Sequence, residues 1–477
     1  MYEKSELYRQ LIKEHSQDEV NTIFDEELKK RKIDNYEDFL CNYKKKYDEV
    51  DIVKYVDLVS FFQLDIQNDF SNYILKKYIL NQQYLDLICN FHCIQYVIEK
   101  FCKKSKNNLD NKQLLYITSY IDIIELNLQC NRYVTDEGLK NCIHLQILDA
   151  RDNQIISTCE SFAQTLIKLN ISLKELTYEF NMGLRDEPTI DYNLTNKGLK
   201  KCVNLQFLDI SYNSYITTCE PFANSLIELN ASDGSGISNE GIKNCINLQK
   251  LNACDNQKIT ICYPFAHSLI ELDAIGSCGI NDKGLEGCCN LQILFASCNK
   301  NITTCEPFAN SLIKLFAYKC GIDDIGLQNC INLQKLNARY NEKITTCDPF
   351  ANSLIELDAS DTCGIGNIGV KNCINLQILR ASKNIKITTC EHFAKSLIEL
   401  DASDNCGIDD IGLKNCTNLQ KLNACNNQKI TTCKPFCNSL IELNASKKCG
   451  IGNNEIRNCK NLKIFKYKYN SKITIKI

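Results

Sequence analysis

Thirty cysteines are the residues of this chain best equipped for chemistry, because a thiolate can ligate a metal, form a disulfide or attack an electrophile. Their spacing argues against the first two. Cys278, Cys320, Cys363, Cys406 and Cys449 recur in one slot of a repeated motif, two repeats apart. If each repeat adds one strand at roughly 4.8 Å, neighbours in that column stand roughly 9 to 10 Å apart. That exceeds the roughly 7 Å Cα reach of a disulfide and is too far for ligands of one zinc ion. Cys89/Cys93 and Cys433/Cys437 read as isolated pairs, the first with a single histidine, His92, and the second with none nearby, short of a metal-ligand set. Of the five histidines (15, 92, 144, 267 and 392), His267 and His392 replace Asn and Pro of a recurring PFANS segment and read as variable surface positions. No phosphate loop, nucleophile elbow or paired catalytic motif occurs. The expectation is a chain that is not an enzyme and binds no metal and no cofactor.

The elements that must position these residues are repeats. GLQNCINLQKLNARYNEKITTCDPFANSLIELDASDTCGIGNI, Gly326 to Ile368, recurs almost verbatim, with starts at Gly241, Gly284, Gly326, Gly369 and Gly412 that lie 42 or 43 residues apart. Each unit has two halves, since Leu333, Leu336 and Ala338 return as Leu354, Leu357 and Ala359. Both halves follow L-x-x-L-x-L-x-x-N/C-x-L with Ala in the third leucine slot.

On these residues the sequence resembles the leucine-rich repeat family. The second halves, with Val134-Thr135-Asp136-Glu137-Gly138-Leu139 and Ile408-Asp409-Asp410-Ile411-Gly412-Leu413, resemble its cysteine-containing subtype. The resemblance covers residues 117–477 as about sixteen repeats. It implies an α/β solenoid, curved, with parallel strands on a concave face, short helical or 3₁₀ turns on the convex face, and a protein partner in the concavity.

The physics of the repeat points the same way. In Leu354-Ile355-Glu356-Leu357-Asp358-Ala359 the leucines and alanine alternate inward while Glu356 and Asp358 face out. One coil cannot bury its leucines alone, but stacked coils can. Asn153, Asn213, Asn256, Asn299, Asn341, Asn384, Asn427 and Asn470 share one slot, predicted to be a buried turn where an amide satisfies backbone groups. Asp136, Asp282, Asp324 and Asp410, with Asn196, Asn239 and Asn367, precede the unit-starting Gly by two residues and are predicted to cap the helical turn that follows.

Residues 1–116 lack the repeat and read as a helical N-terminal cap for the first coil, with Lys103–Lys112 as a polar linker. Within it, Asp51–Ile79 (Leu58, Leu64, Asp65 and Ile66) weakly resembles the helices closing a BTB or Skp1-type domain. Asp18-Glu19-Val20 with Ile23-Phe24 weakly resembles an F-box, without its usual proline and tryptophan. Those likenesses imply the alternative function, a substrate-recognition adaptor of a ubiquitin ligase engaging Skp1 or cullin machinery. The unit starting at Gly138 is longer by about 17 residues, within Leu173–Asp191, as a loop carrying binding function or as tolerated drift.

A net charge of −3 and a pI near 6.1 offer no general attraction to nucleic acid, and no uniform basic stripe appears. The expected partner is therefore a protein, with neither nucleic acid nor membrane. The opening MYEKSELYRQ has no apolar secretory run, and the sequons Asn230-Ala231-Ser232 and Asn444-Ala445-Ser446 fall on predicted strands, so an intracellular, cytoplasmic location is expected.

Outward strand positions give a surface map. Glu271 should lie beside Lys250, Glu356 beside Lys335, and Lys421 between Glu399 and Glu442. One coil pair breaks this ladder: Ile293, Phe295 and Ser297, then Lys314, Phe316 and Tyr318, stand where other units place polar residues. An exposed aromatic cluster there, flanked by Arg339 and Arg380, is the candidate protein-binding site. Near-identical repeats also suit a structural protein without a specific ligand.

Overall fold

The computed structural model describes residues 102, 109–119, 122–173 and 194–474. The cap expected over 1–116 lies outside the described residues except at its end. So do the Asp51–Ile79 and Asp18–Phe24 segments, and all of the 173–191 insertion but Leu173.

The chain forms two compact units, residues 1–172 with 185–204, and residues 173–184 with 205–477. In the first, helix α1 (Asn111–Thr118) precedes three strands, Glu125–Asn127, Ile147–Asp149 and Lys168–Asn170, which pair in parallel. A capping box starts α1: the Asp110 carboxylate accepts from Gln113 N at 2.8 Å, and Asp110 N donates to Gln113 Oε1 at 3.1 Å. Two orphan amides are thereby satisfied. Residues 110–112 thus belong to a helix start, where polar composition suggested a linker.

The second unit holds thirteen three-residue strands, from Phe207–Asp209 to Ile464–Lys466, each parallel to the next. The central residue of each strand faces the core; Leu229, Leu272, Leu315 and Leu357 are all buried. A parallel sheet of single strands needs a crossover after every strand, and here the crossover is one repeat. Alternate crossovers carry a 3₁₀ turn such as Glu306–Phe308 and a short helical turn such as Asn367–Val370. The 3₁₀ turns of the PFANS segments each bury a phenylalanine, and Phe222, Phe265, Phe308, Phe350, Phe393 and Phe436 form a column of fully buried rings. This is the leucine-rich-repeat solenoid fold that the resemblance implied, with one parallel strand to each repeat.

Side-chain hydrogen bonds lock coil to coil. The Asn256 amide donates to Ala231 O at 2.7 Å and Ile237 O at 3.2 Å, while its Oδ1 accepts from Lys258 N at 2.9 Å. Asn299, Asn341, Asn384, Asn427 and Asn470 repeat the pattern. Asn153 departs from it, its buried Nδ2 lacking a partner among the described residues. The PFANS serine contributes likewise: Ser353 Oγ lies 2.8 Å from Leu333 O in the preceding coil.

The capping expectation is corrected. Asp282, Asp324 and Asp410 reach the following coil, where Asp324 Oδ1 accepts from Thr345 N at 2.8 Å and Oδ2 from Thr345 Oγ1. Asp136, Asn239 and Asn367 bond Ser157, Thr260 and Thr388 in the same way. Gly326 N and Gly412 N are capped by the residues one earlier, Asp323 and Asp409, at 2.9 Å each. A turn that must also hold the next coil divides these two tasks between adjacent oxygen-bearing side chains. Among the described residues no helix is long and apolar enough to cross a membrane.

Candidate functional site

Strand register decides what the outward face presents. One row runs Asn252, Asp273, Phe295, Phe316, Asn337, and the row beside it Lys250, Glu271, Ile293, Lys314, Lys335, Glu356. Either side of the aromatic pair the second row forms ion pairs: Lys250 to Glu271 at 3.7 Å, Lys335 to Glu356 at 3.0 Å, and Lys421 to Glu399 at 3.5 Å. Lys314 faces Ile293 and Lys335 and has no carboxylate within ion-pair distance among the described residues.

Phe295 and Phe316 stack, with centroids 4.5 Å apart and planes 10° from parallel. Each ring covers part of the other, so the pair is half-buried, not the openly exposed cluster expected from sequence. Lys335 Nζ stands 5.5 Å above the Phe316 ring. Tyr318 meets Tyr340 edge-on at 5.5 Å, and Lys319 Nζ lies 5.4 and 4.9 Å from their centroids. The structure therefore brings Ile293, Phe295, Lys314 and Phe316 onto adjacent strands, with Tyr318 in the turn that follows, and adds Lys319, Lys335 and Tyr340.

Arg339 joins this group through Tyr340, 5.3 Å from its ring, while its Nε donates to Asp361 at 2.6 Å. Arg380 does not join it. Its guanidinium hydrogen-bonds Glu356 and lies 3.7 Å from Glu399. Sequence reasoning missed Tyr340 and Lys319 because it followed the outward alternation, which stops at Tyr318 and Arg339, one residue short of each. Both sit in the tight turn after the strand, at φ of 54° and 49°, and the position just before the buried Asn slot would have found Tyr340.

Toward lower residue numbers the same face is acidic. Burial raises Asp273 above the ordinary aspartate range against a backbone bond from Ile275, with Glu271, Asp233 and Asp255 adding like charge. Burial also opposes ionisation of Glu356, yet the bonds from Lys335 and Arg380 outweigh it and hold that carboxyl below its usual value. Because the folded value is depressed, this stabilisation is complete above the ordinary glutamate value of about 4.3 and is lost as pH falls through the folded one. Arg380→Met should therefore destabilise the chain near neutrality and progressively less in acid. Urea midpoints of parent and variant are expected to converge between about pH 6 and pH 3; a gap that stays constant over that range contradicts the coupling.

The cysteines build a structure of their own. Cys219, Cys262, Cys305, Cys347, Cys390 and Cys433 precede the 3₁₀ turns, and Cys245, Cys288, Cys330, Cys373, Cys416 and Cys459 come just after the unit-starting turns of the following coils. A thiol–thiol hydrogen bond, then burial, push Cys262, Cys305, Cys347 and Cys390 well above the ordinary thiol value. The accepting members Cys288, Cys330 and Cys416 are lowered by the same bond. Cys433 is thus not an isolated thiol: it bonds Cys459. Burial pushes Cys278, Cys320, Cys363, Cys406 and Cys449 up to about 11. Protonated buried thiols of this kind are packing residues, not nucleophiles. The second column escaped notice because pairing was tested within one slot and not between neighbouring slots. Among the described residues the cysteines of these columns form no disulfide, and no group of three or more His, Cys, Asp or Glu is arranged to hold a metal.

No protein-family model matches the chain, and no curated protein matches it. Solved structures do. An internalin (inlF) from Listeria monocytogenes is 22% identical, with a TM-score of 0.40 over 58% of this chain and 78% of that one. The functional domain of InlJ from the same organism, described as including a cysteine ladder, is 17% identical, with a TM-score of 0.43 over 74% and 68%. TLR13 in its complex with ssRNA13 is 17% identical, with a TM-score of 0.39 over 77% and 67%.

Proposed function

We propose that this chain is a non-enzymatic protein-interaction scaffold whose strand face seats a protein partner on Phe295 and Phe316. The observation that carries this reading is the stacked aromatic pair itself. In the thirteen-strand unit the third strand position is otherwise Asp, Asn, Arg or Lys, residues that solvate the face. Two phenylalanines there withhold apolar area from water only partly, and a partner side chain completes the burial. Charge gives the partner its direction. Asp233, Asp255 and Asp273 lie on one side of the pair, and Lys314, on the strand of Phe316, and Lys319, in the turn after it, on the other. A matching surface carries an apolar anchor between a basic and an acidic flank. The buried thiols of the repeat columns, none of them in a disulfide, favour a reducing, intracellular location.

The test compares affinity capture from native extract by the intact chain and by a Phe295→Ser/Phe316→Asp/Tyr318→Ser variant shown by circular dichroism to be folded. A partner held by the parent should lose about 2 to 4 kcal/mol of affinity to the variant, as expected when hot-spot aromatics are removed. Equal capture by both proteins would falsify the assignment of the site.

A further inference from the structure

On the turn side of the coils, three departures from the repeat meet. His267 stands where other units have Asn224, Asn310, Asn352 or Asn438, Cys289 where they have Ile246, Ile331 or Ile374, and Gly287 where they have Asn244, Asn329 or Asn372. The Cys289 Sγ lies 3.7 Å from His267 Nδ1 in the adjacent coil, and both side chains are exposed. Their register is fixed from both sides: Asn290 Nδ2 donates to His267 O at 2.7 Å, and Cys289 N donates to Gly287 O at 2.8 Å. Gly287 has φ +83°, a conformation that suits glycine. A thiol beside an imidazole on an accessible surface is the arrangement that produces a reactive thiolate.

We propose that Cys289, activated by His267, is a site of covalent modification by small-molecule disulfides of the glutathione class. With Nε2 protonated, Nδ1 accepts the thiol proton. The thiolate attacks one sulfur of the disulfide, so that a Cys289–sulfur bond forms as the disulfide bond breaks, and the departing thiolate takes the proton from the imidazolium. One disulfide is consumed and one mixed disulfide and one free thiol are made; the disulfide is the oxidant, Cys289 sulfur being oxidised as the departing sulfur is reduced. The reaction is stoichiometric, leaving the chain modified, and is independent of the strand-face reading.

The molecule carries its own controls. Cys288, the adjacent residue, is fully buried, whereas Cys298 is exposed without an imidazole on its sulfur. The reduced full-length chain is incubated anaerobically with glutathione disulfide near neutral pH, quenched in acid at intervals, digested and mapped by mass spectrometry. Cys289 is expected to gain glutathione at least about a hundredfold faster than Cys298, the lower end of what a positioned base contributes. His267→Asn, which restores the residue of the other units, should bring Cys289 down to the Cys298 rate. Equal rates at Cys289 and Cys298 in the parent overturn the proposal. So does a Cys289 rate unchanged in His267→Asn, or labelling of Cys288 as fast as Cys289, which would mean local opening and not the imidazole sets the rate.

Discussion

Replacing Asn341 by leucine should lower the stability of the thirteen-strand unit by about 3 to 5 kcal/mol, although leucine is the more apolar residue. The side chain is buried, and its Nδ2 donates to Ala317 O and Ile322 O at 3.1 Å each while its Oδ1 accepts from Lys343 N at 3.0 Å. Leucine leaves all three backbone groups without a partner and without water, at about 1 to 3 kcal/mol each, and its own burial returns only part of that. Asn341→Asp should fare no better, because it turns a carboxylate toward two carbonyl oxygens. Since each coil touches only its neighbours, faster hydrogen exchange should be confined to the coils of Lys314–Phe316 and Lys335–Asn337. A loss below about 1 kcal/mol, or exchange raised evenly along the unit, would show that the asparagine column is not what joins the coils.

The strand register was legible in the sequence for a geometric reason. When every repeat contributes one strand, a residue's spatial neighbour is its sequence equivalent one repeat away. Lys335 and Glu356 could therefore be paired before any coordinates, and they stand 3.0 Å apart. Features that link different slots of the repeat were harder to see. Asp323 and Asp324 offer the same chemistry one residue apart, and only the backbone path decides that the first caps its own turn while the second holds the next coil. The Cys305–Cys330 contact joins two slots on successive coils, which no single column reveals. At the candidate site, alternation placed Phe295 and Phe316 outward, but their mutual stacking, and the turn residues Lys319 and Tyr340 beside them, depend on side-chain packing that periodicity does not encode.

The near-identity of the repeats also has a physical source. Asn332 Nδ2 reaches Asn310 O at 2.8 Å, Asn375 reaches Asn352 O and Asn418 reaches Lys395 O, so each copy of the NL motif is held by the same bond to the coil before it. Residues with such duties are interchangeable between coils and cannot drift independently. Uniformity at these slots is what stacking demands, and it does not count against a specific ligand on strand positions that carry no such duty.

Stacking demands most at the unit-starting glycine, and Gly326→Val is expected to cost about 3 to 5 kcal/mol, in the range reserved for disruption of a packed core. A Cβ at Gly326 would stand 2.2 Å from Thr303 O and 3.1 Å from Thr304 Cα, both backbone atoms of the preceding coil. The turn must therefore retreat, breaking the 2.9 Å bond from Cys305 N to Gly326 O and drawing Cys330, four residues on, away from Cys305. The chain itself shows what a side chain does at this slot. Position 455 holds glutamate, and there Cys433 N donates to the Glu455 carboxylate at 3.2 Å, with Thr432 Oγ1 on the same oxygen. A carboxylate thus replaces the backbone contact there; valine at position 326 has no such group. Denaturation midpoints read the stability, and thiol-reagent labelling of Cys305 and Cys330, both fully buried in the parent, reads the separation of the coils. Both thiols should become reactive in Gly326→Val while Cys219 and Cys245 stay protected. Retained protection at Cys305 with an unchanged midpoint would mean that the coils tolerate a wider spacing, and that the glycine column is not what sets the distance between the thiols.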